Sequence, residues 1–195
     1  MAEICANKIL ELEPENGAVY VLLTNIYAKC GRWEEVGRVK EMVMGRGVKK
    51  VPGCSLIEMN GEMHEFVAGD RTHESSDEIY AKMEEMGRAL KLAGYAPDTA
   101  EVIFDICEEE KEDAVYRHSE KLAIAFGLLK SPAGAAIRVV KNLRMCSDCH
   151  NAVKLISAVY GRRLWCGIKR DSTTSAPLDA RVMITGESFL FLFYS

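Results

Sequence analysis

Apolar residues recur at helical spacing through the first 47 residues of the chain. An opening run ends before Pro14, because proline cannot continue a helix. The next two runs predict helices over residues 18–29 and 32–44, with Gly31 between them at a position that favours a helix end. We therefore expect an antiparallel pair of helices in this part of the chain.

Helical pairs that repeat with a period near 34 residues are typical of tetratricopeptide-like arrays. Only about one and a half such units are visible here, and stacking of several units is needed to bury a continuous core. We therefore expect residues 1–51 to be the end of a longer helical array, with Met1 as an internal methionine.

A β-hairpin is predicted after this helical region. Asn60 and Gly61 both tolerate positive φ, and they separate two β-competent segments, residues 54–59 and 62–67. A helix is predicted from Ser76 to Ala93, because apolar residues recur on one face of it. Its inward residues are Ile79, Met83, Met86 and Leu90.

The following segment predicts a mixed structure. An acidic cluster at residues 108–113 favours the start of a helix, which we expect to continue to about residue 131. A strand over 137–140 and a helix over 146–159 follow, and no periodicity is evident beyond Gly161. This order predicts an α/β (α+β) fold.

Composition narrows the class of protein without giving a function. The chain has 195 residues, of which 48% are hydrophobic and 28% charged, and this excludes bulk disorder. The net charge of -4 excludes a uniformly basic nucleic-acid-binding surface. No apolar run approaches the length of about 20 residues that a membrane helix needs, so no membrane partner is expected. Seven cysteines without a secretory signal favour reduced thiols, some with metal or redox roles.

Four residues form the pattern that carries chemistry. His118 and Glu120 lie on the helix predicted from the acidic cluster, and Cys146 and Cys149 open the helix that begins 28 residues after His118. One imidazole and two thiolates can bind zinc and leave a fourth position for water. A carboxylate near that water can transfer protons. Zinc nucleobase deaminases use this layout, although they have proline where this chain has Met145.

Other interpretations of these residues remain open. A histidine and a glutamate two positions apart are common on helix faces. A Cys-x-x-Cys pair also occurs in thioredoxin-like redox sites and as half of a structural zinc site. His150 follows Cys149 directly and is a further candidate ligand. The remaining cysteines are expected to be small core residues: Cys5, Cys30, Cys54, Cys107 and Cys166. Residues 137–163 contain six basic residues and one acidic residue, which favours contact with a phosphate backbone.

Two segments identify a family resemblance. Residues 118–128 (HSEKLAIAFGL) and 141–150 (KNLRMCSDCH) closely resemble the DYW deaminase domain that ends many plant pentatricopeptide-repeat proteins. Upstream segments resemble the extension motifs that precede that domain, with Leu56 where the family usually has tryptophan. These are residues 20–27 (YVLLTNIY), 31–35 (GRWEE), 52–55 (PGCS), 66–70 (FVAGD) and 94–98 (GYAPD).

The resemblance implies C-to-U editing of RNA in the mitochondrion or chloroplast. Upstream repeats would select the site on single-stranded organellar RNA, and other RNA-editing factors are expected partners. By position, His118, Cys146 and Cys149 would hold catalytic zinc, and Glu120 would shuttle protons. The family also has a second, structural zinc site, for which His150 is a candidate ligand.

The chain after Arg163 departs from the family pattern. The family ends with a histidine-rich run, a Cys-x-Cys pair and a terminal Asp-Tyr-Trp, none of which is present here. The reading frame can be shifted so that each new codon begins at the third base of a printed codon. The new codon that spans residues 165–166 must then encode valine, and the one that spans residues 183–184 must encode aspartate. The same frame permits the histidine-rich run, the Cys-x-Cys pair and the terminal Asp-Tyr-Trp of the family, in that order. We therefore interpret residues 164–195 as an out-of-frame, disordered tail. We expect poor stability and little or no editing activity from this chain.

These patterns predict four parts: helical extension repeats over 1–51, a hairpin-and-helix linking or gating segment over 52–100, a cytidine-deaminase-like zinc core over 101–163, and the tail. The alternative function is a non-catalytic module that binds zinc, RNA or protein partners. A thiol redox protein that uses Cys146 and Cys149 is a third interpretation.

Overall fold

We describe a computed structural model that covers residues 2–48, 52–100, 102, 107–168, 181–185 and 188–192. The chain divides into two compact units, and the boundary lies between Pro52 and Gly53. No helix within these ranges is both long enough and apolar enough to cross a membrane.

The first unit contains three helices: α1 (Ala2–Leu12), α2 (Gly17–Lys29) and α3 (Trp33–Gly45). The Asn16 side chain caps α2 by accepting a hydrogen bond from the Val19 N–H (3.4 Å). The helix predictions are confirmed here. Of the apolar residues in α1 that recur at helical spacing, Leu10 is buried, whereas Ile4, Ile9 and Leu12 are exposed. The core of this unit consists of Ala6, Leu10, Val19, Tyr20, Leu23, Tyr27, Ala28, Val36 and Val39.

The second unit is a mixed sheet with helices. Its elements are β1 (Cys54–Met59), β2 (Glu62–Val67), α4 (Ser76–Leu92), α5 (Glu108–Tyr116), α6 (Ser119–Lys130), β3 (Ile137–Lys141), α7 (Ser147–Tyr160), β4 (Leu164–Ile168), β5 (Arg181–Thr185) and β6 (Ser188–Leu192). The strand order is β2-β1-β3-β4-β5-β6. Neighbours are antiparallel except β3 and β4, which α7 connects as a parallel crossover. The α/β class is confirmed.

The hairpin forms where the turn residues predict it. Asn60 and Gly61 have φ angles of 54° and 83°, as a two-residue turn of type I′ requires. The inward face of α4 is also the predicted one, since Ile79, Met83, Met86 and Leu90 are all buried. These four residues pack in one core with Ile57 and Phe66 of the hairpin, so both the hairpin and α4 belong to the core of the second unit.

The prediction of one helix from the acidic cluster to residue 131 is wrong, because the helix is interrupted between Tyr116, the end of α5, and Ser119, the start of α6. His118 has an extended backbone (φ -60°, ψ 144°) and precedes the first residue of α6. Two carbonyls at the end of α5 accept hydrogen bonds from groups outside the helix. The Gly69 N–H donates to the Arg117 carbonyl (2.9 Å), and the Lys121 ammonium donates to the Val115 carbonyl (3.1 Å). His118 therefore begins α6 instead of lying within a helix.

The expectation of a disordered tail over residues 164–195 is wrong for its described residues, which form β4, β5 and β6. Leu164 pairs with Ile137 of β3, and Leu164 and Cys166 are buried on the core side of the sheet. A five-residue strand gives a weak local pattern, and its parallel neighbour stabilises it. The rest of the predicted tail lies partly in residues 169–180, outside the described residues.

Candidate metal centre

The two helix starts of α6 and α7 bring the candidate metal ligands together. His118 precedes α6, and Cys146 caps α7 by accepting a hydrogen bond from the Cys149 N–H (3.4 Å). Cys149 is fully buried, whereas His118 and Cys146 are half-buried. The three residues are contributed by two segments that are distant in sequence, so the tertiary fold assembles the group.

The donor atoms fit a zinc ion. The Sγ atoms of Cys146 and Cys149 each lie 3.4 Å from Nδ1 of His118, and all three donor atoms lie within 4.8 Å of one another. Zinc bonds of about 2.3 Å to sulfur and 2.0 Å to nitrogen in a tetrahedron place sulfur and nitrogen about 3.5 Å apart. The spacing and the chemistry of the donors therefore both match this metal.

The two thiols differ in their ionisation. The pKa of Cys146 is lowered to about 5, chiefly by a hydrogen bond from the Cys149 thiol and further by hydrogen bonds from His118 and the helix backbone. The pKa of Cys149 is raised well above its usual value by that same bond to Cys146 and by burial. A thiolate at the start of a helix is a ready metal ligand.

The Glu120 carboxylate lies in the first turn of α6 and is 3% exposed. One of its oxygens pairs with the Lys141 ammonium at 2.6 Å, and the other accepts a hydrogen bond from the Ser119 hydroxyl at 3.2 Å. Its charge contributes to the raised pKa of Cys149, so the carboxylate is within electrostatic reach of the cysteines. The Ser119 hydroxyl also contacts Ser55 of β1 at 2.9 Å.

Sequence reasoning missed Lys141 as part of this site. Ile137, Val139 and Lys141 alternate along β3, and all three are buried. A lysine on the buried face of a strand requires a partner, since an unpaired charge is rarely buried. That alternation is the signal that could have identified it. Lys121 and Asp148, which form a second buried ion pair nearby (2.5 Å), were missed as well.

Other predicted residues lie outside this group. Within the described residues, His150 is half-buried and does not join the three clustered ligands. Cys166 is buried, as expected for a core residue, and burial raises its pKa to about 12. The core prediction is wrong for Cys5, Cys30 and Cys107, which are exposed.

The basic segment 137–163 presents less positive charge to solvent than its composition suggests. Lys141 is buried against Glu120, and the buried Arg162 donates to the Pro132 carbonyl and to Ser131. Both cations are therefore used inside the domain and contribute little to a phosphate-binding surface.

Comparison with known proteins identifies the same segments. The model of the DYW family of nucleic acid deaminases matches residues 94–174, and those of the E motif and E+ motif match residues 1–58 and 63–88. A chloroplastic pentatricopeptide repeat-containing protein of Arabidopsis thaliana is 49% identical over 173 residues, which are 89% of this chain and 23% of the relative.

Two further relatives give the same result. Another pentatricopeptide repeat-containing protein of Arabidopsis thaliana is 50% identical over 164 residues, 84% of this chain and 28% of the relative. A mitochondrial one of Oryza sativa subsp. japonica is 49% identical over 162 residues, 83% of this chain and 28% of the relative. The chain spans about a quarter of the length of these curated relatives. It therefore belongs to the E-motif, E+-motif and DYW deaminase region of the pentatricopeptide repeat proteins.

Proposed function

We propose that this chain carries a zinc-dependent cytidine deaminase domain that edits C to U in organellar RNA, as part of a longer pentatricopeptide repeat protein. The observation that carries the proposal is the convergence of His118, Cys146 and Cys149 in a region that matches the DYW deaminases. Glu120, two residues after His118, supplies the carboxylate that the chemistry requires.

In the proposed reaction, water replaces the amino group at C4 of cytidine, which gives uridine and ammonia. His118, Cys146 and Cys149 would hold zinc, and a bound zinc ion would lower the pKa of a water molecule toward neutrality. The Glu120 carboxylate takes a proton from the attacking water and delivers one to the departing amino group. The Lys141 ammonium lies 2.6 Å from this carboxylate and holds it in position beside the ligands.

The proposed substrate is single-stranded RNA. Pentatricopeptide repeats read unstacked bases one per repeat, so repeats in the longer protein would choose the cytidine to be edited. The relatives named as chloroplastic and mitochondrial support a location in one of these organelles. Other RNA-editing factors are further proposed partners.

The variant Glu120→Ala tests the proposal. We expect it to bind as much zinc as the unmodified chain and to lose deamination by at least about 10²-fold, since general acid–base catalysis contributes 10²–10⁴-fold. Conversion of cytidine to uridine in single-stranded oligoribonucleotides is measured by sequencing, and bound zinc by mass spectrometry. A second chain carries the shifted-frame ending after Arg163. We expect it to deaminate cytidine at the higher rate, because the printed ending is expected to impair activity. Equal conversion by both Glu120 forms would contradict the proposal.

One observation favours a non-catalytic zinc module as the second candidate. Both oxygens of Glu120 already have partners, Lys141 and Ser119, within a buried site. If this pairing is permanent, the carboxylate serves the fold instead of proton transfer. The non-catalytic module predicts bound zinc but no turnover with either ending, with or without Glu120.

A further inference from the structure

The Lys121 ammonium is held in a single geometry beside the candidate metal centre. Its side chain is 2% exposed and directly follows Glu120 in α6. It donates to the Asp148 carboxylate at 2.5 Å, to the Val115 carbonyl at 3.1 Å and to the Tyr95 hydroxyl at 3.1 Å. An ammonium group has three N–H donors, so these three acceptors satisfy it completely.

The Asp148 carboxylate is equally constrained. It lies between the two cysteines at the start of α7, and its side chain is 1% exposed. Besides Lys121, it accepts hydrogen bonds from the Tyr95 hydroxyl at 2.5 Å and from the Asp98 N–H at 2.8 Å. Burial and the bond to Asp148 raise the pKa of Tyr95, which keeps the phenol protonated as a donor.

The loop of residues 95–98 also forms hydrogen bonds with the start of α7. The Asp98 carboxylate accepts a hydrogen bond from the Ser147 hydroxyl at 2.7 Å, and its other oxygen accepts from the Ala100 N–H at 3.1 Å. Residues 95–98 therefore contact both the first turn of α7 and, through Tyr95, the Lys121 ammonium.

We infer that the Lys121–Asp148 ion pair, completed by Tyr95, positions the zinc ligands by fixing the start of α6 relative to the start of α7. His118 begins one helix and the cysteine pair begins the other, so the ion pair sets the separation of the imidazole from the two sulfur atoms. These are positioning residues that act through the ligands. The inference rests on the proposed zinc site and does not require that the domain is a deaminase.

If the Lys121–Asp148 ion pair only stabilises the fold, a variant that lacks the pair but still folds should bind zinc normally. Removal of one member of a buried ion pair leaves an unpaired charge and destabilises the fold, whereas removal of both members for apolar residues often leaves stability unchanged. A double variant, Lys121→Met with Asp148→Leu, therefore restores folding without restoring the link between the two helix starts.

The test measures zinc affinity by competition with a chelator and the absorption spectrum of the cobalt(II)-substituted chain. The variants are Lys121→Met, Asp148→Asn, Tyr95→Phe and the double variant. Lys130→Met is the matched control, because Lys130 is a lysine of the same helix whose pair with Glu78 is exposed. Loss of partners that orient metal ligands typically lowers metal affinity 10- to 100-fold.

We expect about a tenfold or greater loss of zinc affinity and an altered cobalt spectrum in the single charge variants and in the double variant, with a smaller loss for Tyr95→Phe and none for the control. Where a single variant does not fold, the double variant decides. Unchanged zinc affinity and cobalt spectrum in a folded double variant overturn the inference, as does an unmodified chain that binds no zinc. Normal zinc binding without deamination contradicts only the proposed function.

Discussion

Lys141 shows how one residue changes the interpretation of a site. By composition it is one of six basic residues in a segment that favours phosphate contact. In the structure its ammonium lies 2.6 Å from the Glu120 carboxylate and 3.3 Å from the Ser119 hydroxyl, both within the buried site. Its charge is therefore directed at the candidate catalytic carboxylate and away from solvent.

The variant Lys141→Met leaves the buried Glu120 carboxylate without its cation. We expect the free energy of unfolding to fall by about 3–5 kcal/mol, the usual effect of breaking a buried ion pair from one side. Urea unfolding followed by circular dichroism measures it. Addition of Glu120→Gln should recover most of the loss, because no charge then remains unpaired. Lys130→Met, which removes an exposed pair, should cost less than about 1 kcal/mol. A Lys141→Met variant as stable as the control would contradict this prediction.

Helix α6 is the element that connects the candidate site to the sheet. Residues 119–127 are all buried, so this stretch has no solvated face. It is apolar from Leu122 to Gly127, and the charges of Glu120 and Lys121 are buried in ion pairs. Gly127 allows its close approach to the sheet. A Cβ atom built there would lie 2.7 Å from Cγ2 of Ile137 in β3 and 3.0 Å from Cδ1 of Ile57 in β1.

The variant Gly127→Ala tests this approach at the element scale. Alanine gains about 1 kcal/mol of helix propensity over glycine, but the overpacking costs typically 1–3 kcal/mol, so we expect net destabilisation. Gly37→Ala in α3 is the control, because a Cβ there meets nothing within 4 Å, and it should stabilise its own unit by about 0.5–1 kcal/mol. Thermal and urea unfolding of both variants provide the measurement. A stabilised Gly127→Ala variant would show that the sheet tolerates the added methyl group.

At the scale of the whole molecule, the match to the DYW deaminase family ends at residue 174, and the Cys-x-Cys pair and Asp-Tyr-Trp ending that the resemblance implies are not in the sequence that follows. β4 is compatible with either reading frame. The printed residues Leu164 and Cys166 are buried in it, and the shifted frame permits a β-competent Ile-Val-Val run at the same place, of which only the valine across 165–166 is required. A strand at this position therefore does not decide between the frames, and the hypothesis of an out-of-frame tail stays a prediction.

The transcript across the codons for residues 160–187 tests that hypothesis directly. We expect a single-base difference near Arg162 that restores the Cys-x-Cys pair and the Asp-Tyr-Trp ending. The restored chain should unfold at a higher temperature than the printed one, and the difference should shrink when a chelator removes zinc, since a structural zinc site contributes folding free energy. A transcript that matches the printed codons would contradict the hypothesis and leave the printed form, without the Cys-x-Cys pair and the Asp-Tyr-Trp ending, as the gene product.

The amino-acid sequence by itself determined the local features of this protein. The turn at Asn60 and Gly61, the inward face of α4 and the candidate ligands His118, Cys146 and Cys149 all follow from short-range patterns, because propensity and periodicity act over a few residues. Only the tertiary structure decided the break before α6 and the buried ion pairs beside the ligands. Their partners are far apart in sequence, and the free energy that holds them comes from contacts that exist only once the sheet and helices have packed together.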